Sequence, residues 1–219
     1  MSTHPVFIAG AGAFARELYG WIHGTVDQLS GRTFHVVGFA DDDETSEVGS
    51  FGIDLPVCRF EEAAARYPGA GFVLAIAGAA GKRSVAGRLL AKGLSAPAFV
   101  HPKAALGFGV SVGRGTVVMP MAFLNANTTI GEFVLVNCAS GVGHDTTVGD
   151  WSTLLGSVVI NGGCRIGADC TIGSGAVFHP GVKVGDGATV GIGSVVIRSV
   201  RAGTTVFGNP AKRISSKKA

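Results

Sequence analysis

Histidine is the side chain whose ordinary pKa suits proton transfer near neutral pH, and the sequence contains six histidines. His144 differs from the other five because it lies between Gly143 and Asp145. A carboxylate beside an imidazole can orient the ring and balance the charge that the ring gains with a proton. These two residues are therefore the first candidates for acid–base chemistry. The alternative for a lone histidine is an ordinary exposed side chain.

A repeat of six residues surrounds this pair. An aliphatic or aromatic residue recurs at every sixth position from Leu106 to Val196, and the position two before it is small or β-branched. This period fits neither an amphipathic helix nor a simple alternating strand, and it predicts short strands separated by regular turns, as in a β-solenoid. Glycine or asparagine usually follows the aliphatic residue. Because both adopt positive φ easily, we expect positive φ at that position.

The first hundred residues have a different pattern, in which strands alternate with helices, as in a small parallel α/β sheet. We predict strands at 6–9, 36–39, 72–77 and 98–100 and helices at 14–23 and 84–92. The first strand leads into a turn with Gly10 and Gly12, which could present N–H groups to a phosphate or could be a packing turn without a ligand. The second strand ends at Asp41 and Asp42, which could accept hydrogen bonds from a ribose or a base edge, or could be solvated.

Composition excludes several classes of protein. Hydrophobic residues make up 47% of the chain and charged residues 15%, which argues against disorder. The net charge of +3 and the lack of an arginine-rich motif argue against nucleic acid as a partner. No apolar run is long enough for a membrane span and no secretory signal is visible, so we expect a cytoplasmic protein with reduced cysteines. A basic cluster near the C-terminus either is solvated or assists an anionic cofactor; it consists of Lys212, Arg213, Lys217 and Lys218.

Five features occur in order along the chain: the glycine-rich turn, the sequence FADDD at 39–43, the sequence HP at 101–102, the hexapeptide run and the sequence GNPAK at 208–212. Over essentially its whole length the chain resembles the bacterial hexapeptide-repeat sugar O- and N-acetyltransferases related to sialic acid O-acetyltransferase. It is particularly similar to the UDP-4-amino-sugar N-acetyltransferases. The resemblance implies a Rossmann-like α/β half-domain over 1–102, an all-β left-handed parallel β-helix over 103–203 and a C-terminal loop and basic tail over 204–219.

The same resemblance implies roles for residues of the hexapeptide run. His144 would deprotonate the acceptor as it attacks the thioester of acetyl-CoA, and Asp145 would assist it. The N–H group of Gly162 would stabilise the oxyanion, and Gly162, Ser174 and Ile192 would contact the cofactor. The family forms homotrimers that hold acetyl-CoA between neighbouring β-helices, and it uses no metal.

In this family three hexads form one triangular coil, so a residue lies above the one eighteen positions earlier. Ala126 would then lie below His144 and Gly162 above it, a strip of small residues that admits a thin pantetheine arm. Asp145 would have Asn127 below it. Adjacent strand residues point to opposite faces, so Asp145 can assist His144 only if a corner lies between them.

The resemblance also assigns substrate-binding roles, to Gly10, Gly12 and Ala13 at the phosphates and to Asp41 and Asp42 at the nucleoside of a nucleotide-sugar. Asn137 would contact the reactive group of the sugar, or be a corner residue with positive φ. The family often carries the pattern IGxNxxR after the third strand. This chain has alanines in that stretch, at 76–83, so the nucleotide and the sugar stay open.

We therefore expect an acetyl-CoA-dependent N-acetyltransferase of a nucleotide-linked amino-sugar in glycan biosynthesis. Transfer to a hydroxyl group of a sugar such as sialic acid is one alternative, and a non-catalytic nucleotide-sugar-binding module is another. A γ-carbonic-anhydrase-like metal site would need three histidines, whereas the repeats contain only His144 and His179. Cys138 lies one hexad before His144, on a different face of the prism, which argues against a nucleophilic role. Cys164 and Cys170 occupy inward positions.

Overall fold

The structure, a computed structural model, describes residues 2–43, 48 and 52–214. The chain divides into two compact units, with the boundary between Pro102 and Lys103. Within the described residues of the N-terminal unit, the helices are α1 (Ala13–Ile22), α2 (Ala63–Arg66) and α3 (Ala79–Ala91), and the strands are β1 (Thr3–Ala9), β2 (Thr25–Val26), β3 (Thr33–Ala40), β4 (Val57–Cys58), β5 (Gly71–Leu74) and β6 (Phe99–Val100).

The sheet of this unit has the strand order β2-β3-β1-β5, with β4 beside β3. β1 pairs in parallel with β3 and β5, and β3 pairs in parallel with β4, whereas β2 is antiparallel to β3. The four residues at the end of β1, 6–9, are completely buried, as expected for a central parallel strand covered on both faces. The predicted Rossmann-like α/β half-domain is therefore confirmed.

Some predicted bounds in this unit are wrong. The strand expected at 72–77 ends at Leu74, and the helix expected at 84–92 begins at Ala79. Alanine is the strongest helix former, and the extended Gly78 lies at the N-cap, so the helix starts as soon as the strand has ended. The strand predicted at 98–100 forms β6, but it is not a strand of the α/β sheet.

In the second unit, two-residue strands recur every six residues. They are β7 (Ala105–Leu106), β8 (Ser111–Val112), β9 (Val117–Val118), β10 (Phe123–Leu124), β11 (Thr129–Ile130), β12 (Leu135–Val136), β13 (Gly141–Val142), β14 (Thr147–Val148), β15 (Thr153–Leu154), β16 (Val159–Ile160), β17 (Arg165–Ile166), β18 (Thr171–Ile172), β19 (Val177–Phe178), β20 (Lys183–Val184), β21 (Thr189–Val190) and β22 (Val195–Val196). Every third strand pairs in parallel, so the strands form three faces.

The first face contains β7, β10, β13, β16, β19 and β22, and the second contains β8, β11, β14, β17 and β20. The third face includes β9, β12, β15, β18 and β21. On the first face Leu124 pairs with Leu106 on one side and with Val142 on the other, a register of eighteen residues per coil. The predicted parallel β-helix is confirmed.

The segment 204–219, predicted as a loop and tail, contributes two more strands in its described part. β23 (Thr205–Phe207) pairs in parallel with β21, and β24 (Lys212–Arg213) pairs antiparallel with β23. The third face of the β-helix therefore extends beyond the predicted limit at residue 203.

Both inward positions of the hexad are buried from Thr116 onward. Where the smaller inward residue carries a hydroxyl group, that group bridges two coils. Thr116 Oγ1 donates to the carbonyl of Gly131 at 2.7 Å and accepts from the N–H of Val134 at 2.9 Å. The narrow interior is thus filled with its buried polar atoms hydrogen-bonded.

Positive φ occurs three residues after the large inward residue, at every sixth position from Gly109 to Gly193, and not at the next position as predicted. The glycines at the next position have another physical cause. A Cβ atom added to Gly143 would lie 2.5 Å from the N atom of Gly162 in the following coil, and one added to Gly149 would lie 2.6 Å from the N atom of Ala168. Close contact between stacked coils, not backbone conformation, requires these glycines.

We predict that Gly149→Ala lowers the stability of the protein by about 1–3 kcal/mol, because the new methyl group overpacks against backbone that cannot move aside. The midpoint of thermal or urea unfolding measures this loss. Gly156→Ala is the matched control, since its Cβ would lie 3.6 Å from the nearest atom, the carbonyl oxygen of Cys138. Equal stability of the two variants would contradict the explanation by close contact.

Candidate active site

The edge between the first and second faces carries Ala126, His144 and Gly162 one above another, and we call it the histidine edge. Backbone hydrogen bonds set this stacking. The N–H of Asp145 donates to the carbonyl of Ala126 at 3.0 Å, and the N–H of Gly163 donates to the carbonyl of His144 at 2.8 Å. The histidine therefore has only a methyl group below it and a glycine above it.

A corner lies at Asp145, where φ is 56°. This left-handed conformation turns the carboxylate toward the preceding residue, so that Nδ1 of His144 and Oδ2 of Asp145 are 2.8 Å apart. Both side chains are exposed, at 67% and 59%. The geometric condition for assistance by Asp145 is thus met in the structure.

Asn127 completes the group from the coil below. Its Nδ2 donates to Oδ1 of Asp145 at 3.1 Å, which fixes the second carboxylate oxygen. The hydrogen bond from His144, and then that from Asn127, lower the pKa of the Asp145 carboxyl. An ionised carboxylate on Nδ1 keeps the proton of a neutral imidazole on that nitrogen, and Nε2 then has the free lone pair of a base.

Gly162 borders Nε2 directly. A Cβ atom added at this position would overlap the imidazole ring of His144, so a larger residue would displace the ring from its present position. Within the described part of the chain, the N–H group of Gly162 makes no hydrogen bond, whereas its carbonyl accepts from Gly181 at 3.0 Å. A base and an unpaired N–H donor therefore lie side by side.

The predicted cofactor-binding residues Ser174 and Ile192 lie elsewhere on the prism. They lie in one row with Cys138 and Gly156 on the edge between the third and first faces, which we call the serine edge. Both are exposed. The first face separates this edge from His144, so one chain does not bring the predicted cofactor residues and the predicted base together.

Asn137 also lies on the serine edge. Its Oδ1 accepts a hydrogen bond from the N–H of Cys138 at 2.6 Å. The residue with positive φ at this corner is Ala139, so the alternative reading of Asn137 as a positive-φ residue is wrong. Cys138 is half-buried and, like Asn137, lies across the first face from His144.

In the N-terminal unit, the glycine-rich turn joins β1 to α1. Gly10 has a φ of 112°, and its N–H donates to the carbonyl of Ala40 at the end of β3 at 2.7 Å. Gly12 is the N-cap of α1, which begins at Ala13, and no side chain caps the helix. The N–H groups of the first turn of a helix have no partner within the helix, so this end of α1 can accept an anion.

The two acidic residues after β3 differ in their contacts. Asp41 accepts from the N–H of Ala11 at 2.7 Å and from the N–H of Asp43 at 3.1 Å, so it holds the glycine-rich turn in place. Asp42 forms a two-point ion pair with Arg88 of α3, at 2.8 and 3.0 Å. The hydrogen bonds from Arg88 lower the pKa of the Asp42 carboxyl.

Sequence reasoning missed Arg88 as a partner of Asp42 and missed the hydrogen bond of Asn127. The register of eighteen residues places Asn127 under Asp145, so the hydrogen bond between these two side chains could have been predicted from the spacing. Arg88 lies 46 residues from Asp42, and no pattern in the sequence links the two.

Comparisons with known proteins agree with the fold. A family model described as bacterial transferase hexapeptide (six repeats) matches residues 163–198. No curated protein sequence matches the chain. Among solved structures, the chain is similar to the acetyltransferase domain of PglB from Neisseria gonorrhoeae in complex with acetyl coenzyme A. That likeness has 26% identity and a TM-score of 0.85 and covers 97% of this chain and 100% of the other.

Two more structures are similar over the same extent. One is a histidine-to-asparagine mutant of perosamine N-acetyltransferase from Caulobacter crescentus in complex with CoA and GDP-perosamine, with 26% identity, 97% of each chain covered and a TM-score of 0.84. The other is WeeI from Acinetobacter baumannii, with 28% identity, 97% of this chain and 100% of the other covered and a TM-score of 0.83. These likenesses confirm the predicted resemblance to the hexapeptide-repeat sugar acetyltransferases. The protein is an acyltransferase.

Other predicted features concern metals, membranes and thiols. Within residues 2–43, 48 and 52–214, no group of three His, Cys, Asp or Glu side chains is placed to hold a metal ion. No helix among those residues has the length and apolar character to cross a membrane. None of the four cysteines, all of which are described residues, forms a disulfide, and burial raises the pKa of the Cys164 and Cys170 thiols in the core.

The pKa of Asp145 tests the geometry of this group. We expect it below the ordinary value for an aspartate in the wild-type protein, because His144 and Asn127 both stabilise the charged form. His144→Ala should raise it, and Asn127→Ala should raise it less, because the hydrogen bond from His144 is the larger cause. Carbon-13 NMR titration of the carboxyl group measures all three values. Identical titration in the three proteins would contradict the described hydrogen bonds.

Proposed function

We propose that the protein transfers the acetyl group of acetyl-CoA to the amino group of a nucleotide-linked amino-sugar, with His144 as general base. The observation that carries this proposal is the exposed group on the histidine edge, in which Asn127 and Asp145 hold the imidazole and Nε2 lies beside the unpaired N–H of Gly162. We further propose that the reaction belongs to glycan biosynthesis and takes place in the cytoplasm. The lack of a disulfide among the four cysteines, all of which are described residues, supports a reducing compartment.

The chemistry follows from these positions. The amine nitrogen attacks the carbonyl carbon of the thioester while Nε2 of His144 accepts a proton from that nitrogen. The negative charge that develops on the carbonyl oxygen is stabilised by the N–H of Gly162. Asp145 stabilises the imidazolium. The tetrahedral intermediate then collapses, the carbon–sulfur bond breaks and the imidazolium returns its proton to the thiolate, so the products are the amide and free CoA.

Three observations support the choice of substrates. Two proteins are similar over 97% of this chain: the acetyltransferase domain of PglB was solved with acetyl coenzyme A, and a mutant of perosamine N-acetyltransferase was solved with CoA and GDP-perosamine. The free N-terminal end of α1, with Gly10, Gly12 and Ala13, suits the diphosphate of a nucleotide-sugar. Asp41 and Asp42 lie next to this turn, where the nucleoside would be.

A cavity at the C-terminal end of the β-helix suits the phosphates of CoA. Its volume is about 270 Å³, and Arg198, Arg201 and Arg213 line it together with Ser199 and Thr204. Three guanidinium groups around one cavity favour a ligand with several negative charges. Of the predicted basic C-terminal cluster, Arg213 lines this cavity, which supports a role for that residue in binding an anionic cofactor. Lys217 and Lys218 lie outside the described residues.

We also propose a homotrimer, which the character of the faces supports. The outward residues of the first face are apolar or lack a side chain: Ala105, Phe123, Gly141, Val159, Val177 and Val195. Those of the second face are polar: Ser111, Thr129, Thr147, Arg165 and Lys183. Phe123 and Val177 are 38% and 37% exposed in the single chain, as expected of a surface that a second copy covers.

The first face has the histidine edge on one side and the serine edge on the other. In a closed ring of three copies with their first faces toward the axis, the histidine edge of each chain would meet the serine edge of the next. Ser174 and Ile192 of one copy would then lie beside His144 of its neighbour. The resemblance places Ser174 and Ile192 at the pantetheine arm and Asn137 at the sugar. These residues can reach the site of His144 only when a second copy is present.

The reaction is tested by thiol release from acetyl-CoA with UDP-, dTDP- and GDP-linked 4-amino-sugars. We expect turnover with at least one amine, and a fall of about a hundredfold or more for His144→Ala, which is the usual contribution of a general base. Arg114→Ala, a change far from the histidine edge in the same unit, serves as the control. Activity confined to hydroxyl acceptors would contradict the N-acetyltransferase proposal, and unchanged turnover in His144→Ala would move the base elsewhere.

The assembly is tested by a charge on the first face. We expect Val177→Asp to convert trimers to monomers at micromolar concentration, because an unpaired carboxylate would be buried in the contact. Turnover should fall with the loss of trimers, since the two edges no longer meet. Thr147→Asp places the same charge on the second face and should change neither property. Analytical ultracentrifugation measures the mass, and a trimeric Val177→Asp variant would exclude this face as the interface.

A further inference from the structure

The function proposed above assigns no role to Arg88, which is the centre of an ion-pair cluster in the N-terminal unit. One nitrogen of the guanidinium donates to Asp42 at 2.8 Å, and the other donates to Asp42 at 3.0 Å and also to Glu61. The guanidinium carbon lies 5.0 Å from the centre of the buried Phe60 ring. Three separate elements therefore meet at one side chain: the end of β3, the residues before α2 and helix α3.

The exposure of this cluster argues against a role in stability. The side chains of Arg88, Asp42 and Glu61 are 34%, 49% and 53% exposed. Ion pairs with this exposure contribute little to folding, because water and salt screen them. The two-point geometry nevertheless restrains the plane of the Asp42 carboxylate, since both of its oxygens are hydrogen-bonded to one planar guanidinium group.

Asp42 lies at the end of β3, where a carboxylate with a fixed orientation could contact a ligand. The preceding residue, Asp41, accepts from the N–H of Ala11 and so ties the end of β3 to the glycine-rich turn. In an α/β sheet, ligands bind beyond the carboxyl ends of the parallel strands. Among the described residues only Arg88 donates to the Asp42 carboxylate, so within that part of the chain each oxygen retains a lone pair for a donor on a ligand.

We propose that Arg88 is a positioning residue that acts through Asp42 to orient this carboxylate for the nucleoside of the substrate. The proposal rests on the proposed function, because it assumes a nucleotide at the end of β3. The pKa of Asp42 lies below its ordinary value because of the hydrogen bonds from Arg88, so the carboxylate is an acceptor at neutral pH. The ligand groups that it can recognise are donors, namely ribose hydroxyls and the N–H groups of a base.

The test is calorimetric titration of the full-length protein with UDP, GDP and dTDP. For the nucleotide that binds the wild-type protein most tightly, we expect Arg88→Ala to weaken binding about tenfold, and Arg88→Lys to lie between the two because an ammonium group cannot form the two-point pair. The KM for acetyl-CoA should not change. In a double-mutant cycle, Arg88→Ala should have no further effect once Asp42→Ala is present.

Arg114 provides a matched control. It pairs with Glu132 at 2.9 Å and lies 5.8 Å from the centre of the Phe133 ring, so it resembles Arg88 in its contacts but lies in the other unit. Arg114→Ala should leave nucleotide binding unchanged. Additive effects of the Arg88 and Asp42 substitutions, or wild-type affinity in Arg88→Ala, would overturn the proposal while leaving the acetyltransferase intact. If the wild-type protein bound none of the three nucleotides, both this proposal and the assignment of a nucleotide-sugar would be overturned. The role of His144 in acetyl transfer is tested separately, by thiol release.

Discussion

The stacking of one coil on the next, through parallel backbone hydrogen bonds in a register of eighteen residues, is the constraint on which the second unit depends. Neighbouring strands in a sheet lie about 4.8 Å apart, so every position has a close neighbour above and below. That spacing excludes a Cβ atom at Gly143 and Gly149. The same spacing places the imidazole of His144 in contact with Gly162 and Asn127 directly below Asp145. Packing and the candidate chemistry are therefore consequences of one repeat distance.

Much of the fold could be predicted because the repeat is a property of residue types at fixed spacing. The inward rows, the exposed position of His144 and its small neighbours all follow from counting in sixes and eighteens. The conformation of the corners could not be derived in this way. Phe133 and Trp151 have positive φ although bulky residues avoid it, and their rings stack 4.3 Å apart. The stacking of the two rings along an edge offsets the unfavourable backbone conformation. This contact joins two coils, so the residue type at either position alone does not predict it.

The candidate site was predictable where it depends on the register, and not where it depends on tertiary contacts. Asp145 adjoins His144 in the chain, and the corner between them decides that the two side chains meet. The pairing of Asp42 with Arg88 joins a strand end to a helix through side chains distant in sequence, so neither composition nor spacing indicates it. Asp41 was expected to contact a ligand, and in the structure its Oδ2 accepts from the N–H of Ala11 in the glycine-rich turn and its Oδ1 accepts from the N–H of Asp43. A resemblance can assign a residue to a site without showing which of its atoms are already engaged.

The separation of the two edges has a functional consequence for a triangular prism. One face lies between any two edges, so a chain cannot bring both of its own candidate rows to one substrate. In the proposed ring of three copies, an apolar face bordered by the two rows would resolve this problem, because symmetry would place unlike edges together. The same contact would remove Phe123 and Val177 from water and complete each site. Assembly and catalysis would then depend on one surface, and a change that only weakens the contact between copies would reduce turnover without altering any residue of the histidine edge.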